Sequence, residues 1–146
     1  MYTETTKDNM REDFRAWLDR HLAKPFPKDV VSICVNLDDD GGGCDLSGCS
    51  SFDIEDDEWS YNIICDFGTD EDCLLWDEPP GCREWDDEER EEAYNLRRRD
   101  TQALIAGIVK EYCQNGMYAD KLRALEGIGV GFCDGPVQIV YQKDRV

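Results

Sequence analysis

Asn36-x-Asp38-x-Asp40-Gly41 sets oxygen-bearing side chains at alternate positions and follows them with glycine, the opening of a loop that wraps a hard cation in oxygens. The pattern then departs from such a loop. Its last ligand position falls on Ser47 instead of a bidentate glutamate, and its flanks pattern as strands. The segment therefore reads as an acidic hairpin turn. Gly127-x-Gly-x-Gly131 invites comparison with a phosphate-binding loop, but it lacks the G-x-G-x-x-G order and a Walker lysine, and it leads into a hairpin instead of a helix. Those glycines are expected to leave one sheet face bare so that a helix can approach.

Eight cysteines and the single His21 make metal the next chemistry to weigh. Cys44, Cys49, Cys65, Cys73 and Cys82 lie in one stretch without any C-x-x-C pair, whereas structural zinc sites use tightly paired ligands. Cys34, Cys113 and Cys133 sit in apolar patterns, where a thiol behaves as a small hydrophobe. Disulfides need an oxidising compartment that nothing in the sequence implies. No metal or cofactor is expected. His21 falls on the apolar stripe of a helical pattern, so a packed imidazole is expected in place of a catalytic base. No G-x-S-x-G, S-x-x-K or cysteine-nucleophile signature occurs. The reading is non-enzymatic.

What remains is charge. Between Asp38 and Glu92, 22 acidic residues stand against Arg83 and Arg90, a net −20, while the rest of the chain holds 14 basic against 12 acidic residues. Such a field attracts a cationic partner and repels nucleic acid and anionic membrane. Aromatic residues interrupt the acidic runs at Trp59, Trp76 and Trp85, the composition of interface anchors inside a steering rim, although tryptophans can equally cover a core. Candidate partner-binding residues are Asp38, Asp39, Asp40, Asp56, Asp57, Glu58, Asp70, Glu71, Asp72 and Trp76, with Trp76 as the anchor.

These residues need a frame, and 146 residues with 40% hydrophobic content suffice for one domain, 1–146, with an acidic central region at about 38–92. Met10, Phe14, Trp17, Leu18, His21 and Leu22 predict an amphipathic helix over about Lys7–Ala23, capped by Thr5 or Thr6 and ended by Pro25 and Pro27. Val30–Leu37 predicts a buried strand, Cys44–Phe52 an antiparallel second and Trp59–Phe67 a third. Gly68–Asp87 predicts a long loop with one short strand. From about Asp86 the period is helical through Tyr94, Thr101, Leu104, Ile105, Ile108, Val109 and Tyr112. Acids crowd that helix's start, Gly107 is placed for close packing, and Asn115-Gly116 is a left-handed stop. Tyr118, Leu122 and Leu125 predict a further short helix. Asp134-Gly135 then supplies a two-residue turn between Gly127–Phe132 and the return strand at Val137, Ile139 and Tyr141. The fold class is α+β: an antiparallel sheet with helices packed on one face and a C-terminal β-hairpin. Polar Tyr2–Asn9 is no secretory signal and no window is long and apolar enough for a membrane helix, so the expected location is cytoplasmic.

Tyr118-Ala-Asp-Lys-Leu122, Gly127-Ile-Gly-Val-Gly-Phe132 and Asp134-Gly135 together resemble the C-terminal signature of small acidic bacterial proteins similar to polymorphic-toxin immunity proteins. Phe14 and Trp17-Leu18, Asn36-Leu-Asp38 and Ser51-Phe-Asp53 are compatible with that pattern, which covers chiefly the last quarter of the chain. Its motifs are structural and carry over no binding residue, and the cysteines of the acidic region have no counterpart in it. The resemblance implies a cytoplasmic, stoichiometric inhibitor of a basic, nuclease-like toxin domain, an expectation that agrees with the charge. Two other classes stay open: a metal-binding or regulatory domain using acidic or cysteine ligands, and a nucleic-acid mimic that occupies a DNA-binding protein.

Overall fold

Alternation along one strand decides how the molecule is layered. In the computed structural model, which describes residues 4–37, 44–68, 84–132 and 135–143, β1 (Ser32–Leu37) sends Ile33, Val35 and Leu37 into the main core and Cys34 into a smaller cluster. Successive side chains of a strand point to opposite faces, so those two clusters lie on opposite sides of one sheet. Among the described residues four further strands join it: β2 (Cys44–Cys49), β3 (Ile63–Gly68), β4 (Gly127–Phe132) and β5 (Gln138–Gln142), in the order β3-β2-β1-β4-β5.

The fold is α+β with a mostly antiparallel sheet, as expected, and one parallel pair lies at its centre. β1 pairs antiparallel with β2, but it pairs parallel with β4 from Ser32↔Gly127 to Leu37↔Phe132. The long return through two helices brings the chain back to the end of the sheet where β1 starts, which is what a parallel pair requires. The bond from Glu126 N–H to Val31 O (2.7 Å) extends that pairing beyond the strand ends. β4 and β5 form the expected C-terminal hairpin. Its base pairs are Gly127↔Gln142 and Ile128↔Tyr141, and an irregularity after Ile128 sets Ile139 opposite Gly129; Asp134 of the expected turn lies outside the described residues.

The three α-helices among the described residues all contribute to the main core on one face. α1 (Glu4–Leu22) buries Phe14, Trp17, Leu18, His21 and Leu22, the predicted stripe. It starts earlier than expected: Thr5 and Thr6 are inside it and do not cap it. α2 (Asp87–Asn115) is capped by Asp86, whose carboxylate accepts from Glu89 N–H at 2.7 Å, while Asp87, Glu88 and Glu89 favour the positive end of its dipole. Its buried residues begin only at Thr101, so the acidic first turns stand clear of the core. α1 and α2 are tied by Arg15, which donates to Asn115 Oδ1 (2.8 Å) and faces Glu111 (3.6 Å), and by Tyr112 OH, which donates to Asp19 Oδ1 (2.6 Å). Burial raises the Tyr112 phenol's pKa, and the hydrogen bond to Asp19 adds to that.

Two glycines differ from expectation. Gly116 ends α2 with φ −73° and ψ 163°, an extended residue and not a left-handed stop. It is glycine because a Cβ there would lie 2.5 Å from the Tyr112 ring. Gly107 has open space where its Cβ would be, so it does not serve close packing. α3 (Ala119–Arg123) buries Ala119 and Leu122, as its pattern requires. Among the described residues, no helix is long and apolar enough to cross a membrane.

Candidate functional site

The face of the sheet away from the helices carries the acidic chain. β2 ends at Cys49 instead of reaching Phe52, and β3 starts at Ile63 instead of Trp59. The residues between them fold back over the sheet. Asp53 Oδ1 accepts from Glu55 N–H (2.9 Å) and Asp56 Oδ1 from Glu58 N–H (3.0 Å), side-chain turns that bend the segment locally. Asp56 thereby caps a 3-10 helix, Asp57–Tyr61, which delivers Trp59 onto the sheet.

Trp59 and Phe52 pack with ring centroids 5.1 Å apart, and with Cys34 and Cys49 they form the second buried cluster. Gly127 and Gly129 make room for them: a Cβ on Gly129 would lie 3.0 Å from the Trp59 ring, and one on Gly127 would overlap Phe52. The glycine stripe therefore receives the aromatic loop at Gly127 and Gly129 and the Pro136-Val137 segment at Gly129 and Gly131, and no helix, which corrects the sequence expectation. Desolvation in this cluster pushes the Cys49 thiol up to about 11, with the Ser32 hydrogen bond opposing the rise.

Beyond the aromatic pair the same face hollows into a cavity of about 270 Å³. Asn36 and Gly131 line it from the central strands, Asp45 and Ser47 from β2, Asp66 and Ile63 from β3, and Asp57, Ser60 and Tyr61 from the 3-10 helix. Strand register explains the convergence, since Asn36 lies opposite Asp45 and Ser47 opposite Asp66 on neighbouring strands. The Asn36 amide donates to Asp45 Oδ1 (2.7 Å) and to Ser47 Oγ (2.8 Å). That holds the Asp45 carboxylate in place. Asp57 Oδ2 accepts from Val137 N–H at 3.0 Å and so fastens the 3-10 helix to the approach to β5. Among the described residues, three carboxylates line this hollow and no lysine or arginine does. A second, shallower recess shares Phe132 and Gly135 with it and has the opposite character, with Arg98, Arg99 and Gln102 in its lining. Arg98 lies 4.7 Å over the Phe132 ring.

The arrangement suits recognition of a cation. Ser60 Oγ donates to the Asp57 carbonyl (2.8 Å), and His21 lies in the core across the sheet, its ring 4.9 Å from that of Trp17. Among the described residues, no three His, Cys, Asp or Glu side chains are grouped so that they could hold a metal ion. Cys49, Cys65 and Cys113 are free thiols, and burial raises the pKa of each.

Of the residues predicted from sequence to bind a partner, Asp56, Asp57 and Glu58 come together in the 3-10 segment. Asp56 is occupied as a cap, Asp57 as a clamp and cavity wall, and Glu58 is exposed. Asp38, Asp39, Asp40, Asp70, Glu71, Asp72 and the expected anchor Trp76 lie outside the described residues. Trp59 is a core residue, 2% exposed, and Trp85 is half-buried beside Glu89 and Leu96 of α2. Sequence reasoning missed Asn36, Asp45, Ser47, Tyr61, Ile63 and Asp66. The available signal was the spacing of Asp45 and Ser47 two apart on one strand face, which gains meaning only once the register with Asn36 and Asp66 is known. Comparison of the chain with protein-family models, with curated proteins and with solved structures finds no match.

Proposed function

We propose that this protein is a non-catalytic, stoichiometric inhibitor that occludes a basic, nuclease-like toxin domain, in the manner of an immunity protein. The observation that carries the reading is the segregation of charge. A region of net −20 includes the exposed run Asp86–Glu92 at the start of α2 and the exposed Asp53, Glu55, Asp56 and Glu58 of the loop beyond β2. The ion pairs of Arg11, Arg15 and Arg123 are made elsewhere, to Asp8, Glu111 and Asp120. A surface of one sign accelerates encounter with a partner of the other and rejects partners of its own, so its uses are steering and selectivity.

The test is co-purification of the protein with the basic domain encoded beside its gene, followed by assay of that domain's activity. A 1:1 complex that abolishes the activity, and whose association slows steeply as salt rises, is the expected result. No complex at low salt overturns the reading. Displacement of the protein by duplex DNA from the partner's nucleic-acid site would identify a nucleic-acid mimic instead.

A further inference from the structure

The acid-lined cavity does not lie in an otherwise polar surface. Its outer wall is β3, which among the described strands is the outermost and pairs with β2. Tyr61 is 68% exposed, Ile63 51% and Ile64 44%, large side chains left on the surface at the mouth of the cavity or next to it in sequence. Exposed apolar residues are common singly, but three within four positions, Tyr61 at the end of the 3-10 helix and Ile63 and Ile64 at the start of β3, beside an acid-lined hollow, have the composition of an anchor with a steering rim.

We infer that the cavity and the Tyr61–Ile64 edge form one docking surface, which receives an extended, cationic segment of a protein partner and seats one of its lysine or arginine side chains among Asp45, Asp57 and Asp66. The inference rests on the inhibitor reading for its biological sense and on charge complementarity for its chemistry. The stem of a lysine or arginine is apolar and its head charged, which matches a site whose mouth is Ile63 and the Tyr61 ring and whose lining holds carboxylates. Asp45 is already oriented by Asn36 and Asp57 by Val137 N–H, so binding has little ordering to do. An occupant as acidic as the rest of the 38–92 region would be repelled from the same place.

The experiment is an amide chemical-shift titration of the whole protein with a defined peptide, acetyl-Arg-Val-Arg-Val-Arg-amide, against its glutamate counterpart. The largest shifts are expected at Ser47, Tyr61, Ile63 and Gly131, with none from the glutamate peptide. Asp45→Asn with Asp66→Asn, which keeps the oxygen that Asn36 binds, should weaken the arginine peptide about tenfold, while Glu88→Gln with Glu91→Gln, an equal loss of charge on α2, should weaken it no more than about twofold. Ile63→Ser should weaken it severalfold at unchanged net charge.

Equal losses from the two charge pairs, or shifts centred on Asp86–Glu92, would reduce the cavity to part of a general field and overturn the assignment. Cavity amides that do not respond to the peptide would also overturn it, since the chain itself then fills or closes the site. A concentration-dependent dimer dissolved by Asp66→Asn would replace the cationic partner with a second copy, whose Arg98 and Arg99 could supply the cation. The titration contains no toxin domain. Its failure leaves the inhibitor reading intact with another interface, and a failed co-purification leaves a positive titration intact.

Discussion

The two faces of the sheet are built from the same strands and meet different fates. On the helix side, Ile33, Val35 and Leu37 of β1, Leu46 of β2 and Ile128 and Val130 of β4 lie under Phe14, Trp17, Ile105, Val109 and Leu122. On the other side Ser32, Cys34 and Asn36 alternate with them, Gly127, Gly129 and Gly131 leave a trough, and its cover, the Phe52–Trp59 pair with Val137 and Ile139, ends at an acid-lined hollow. The first face gains most from area removed from water, roughly 25 cal/mol per Å². The second holds polar side chains by hydrogen bonds and keeps part of its surface open. The main core and the proposed docking surface thus lie on opposite sides of one sheet, so a variant on one side should separate stability from the proposed binding.

The largest effect is expected on the helix face. Trp17→Ala empties a site that is 1% exposed and should cost about 3–5 kcal/mol in denaturant unfolding, with partner binding lost only as the protein unfolds. A cost near zero would mean that this face is not the main source of stability.

An intermediate effect is expected across the sheet. Gly129→Val puts a branched side chain where even a Cβ would overlap the Val137 side chain and lie 3.0 Å from the Trp59 ring, and overpacking of this kind costs about 1–3 kcal/mol. Because Trp59 belongs to the helix that carries Asp57 and Tyr61, the variant should also lose arginine-peptide binding while it remains folded. Retained binding would show that the aromatic cover and the cavity are independent, and the two faces would then differ less than their residues suggest.

The smallest effect is electrostatic and touches both faces. Desolvation pushes the thiols of Cys49, on the loop-covered face, and Cys113, on the helix face, up to about 11 from an ordinary 9.0. Folded-state values raised above unfolded ones stabilise below the unfolded pKa, and the unfolded chain holds fewer protons between the two. Stability should therefore be level through neutral pH and fall between about pH 9 and 11, by on the order of 1–2 kcal/mol per thiol. Tyr112, also raised, steepens the fall above its ordinary value of 10.0. Cys49→Ala should remove one share and Cys113→Ala the other, measured by denaturation at each pH. A pH profile unchanged in Cys49→Ala would mean that the loop-covered face admits water.

The elements were legible from sequence wherever a period reports burial directly. The stripe Phe14–Leu22, the alternation of β1 and the hairpin around 134–135 each encode one face against another, and a side chain's face follows from local geometry alone. The caps were less legible. Thr5 and Thr6 have cap chemistry but lie within α1, because helix ends are set by competition between several polar residues and the packing of the following turns. Gly116 was read by residue type as a left-handed stop, and its true reason is the Tyr112 ring, a contact within one helix turn that composition does not report.

The candidate site was legible only as charge. Counting acids located the region, and by itself the sequence determined its sign, the amphipathic α1 and α2, the C-terminal hairpin and the α+β class, because each depends on composition or on spacing within one segment. Tertiary structure alone decided that β4 runs parallel to β1, that Trp59 covers the glycine trough, and that Asn36, Asp45, Asp57 and Asp66 share one hollow. Those facts depend on strand register and on the path of a loop over the sheet. A shift of one residue in pairing would turn the strand residues Asn36, Asp45 and Asp66 to the other face without altering any local pattern.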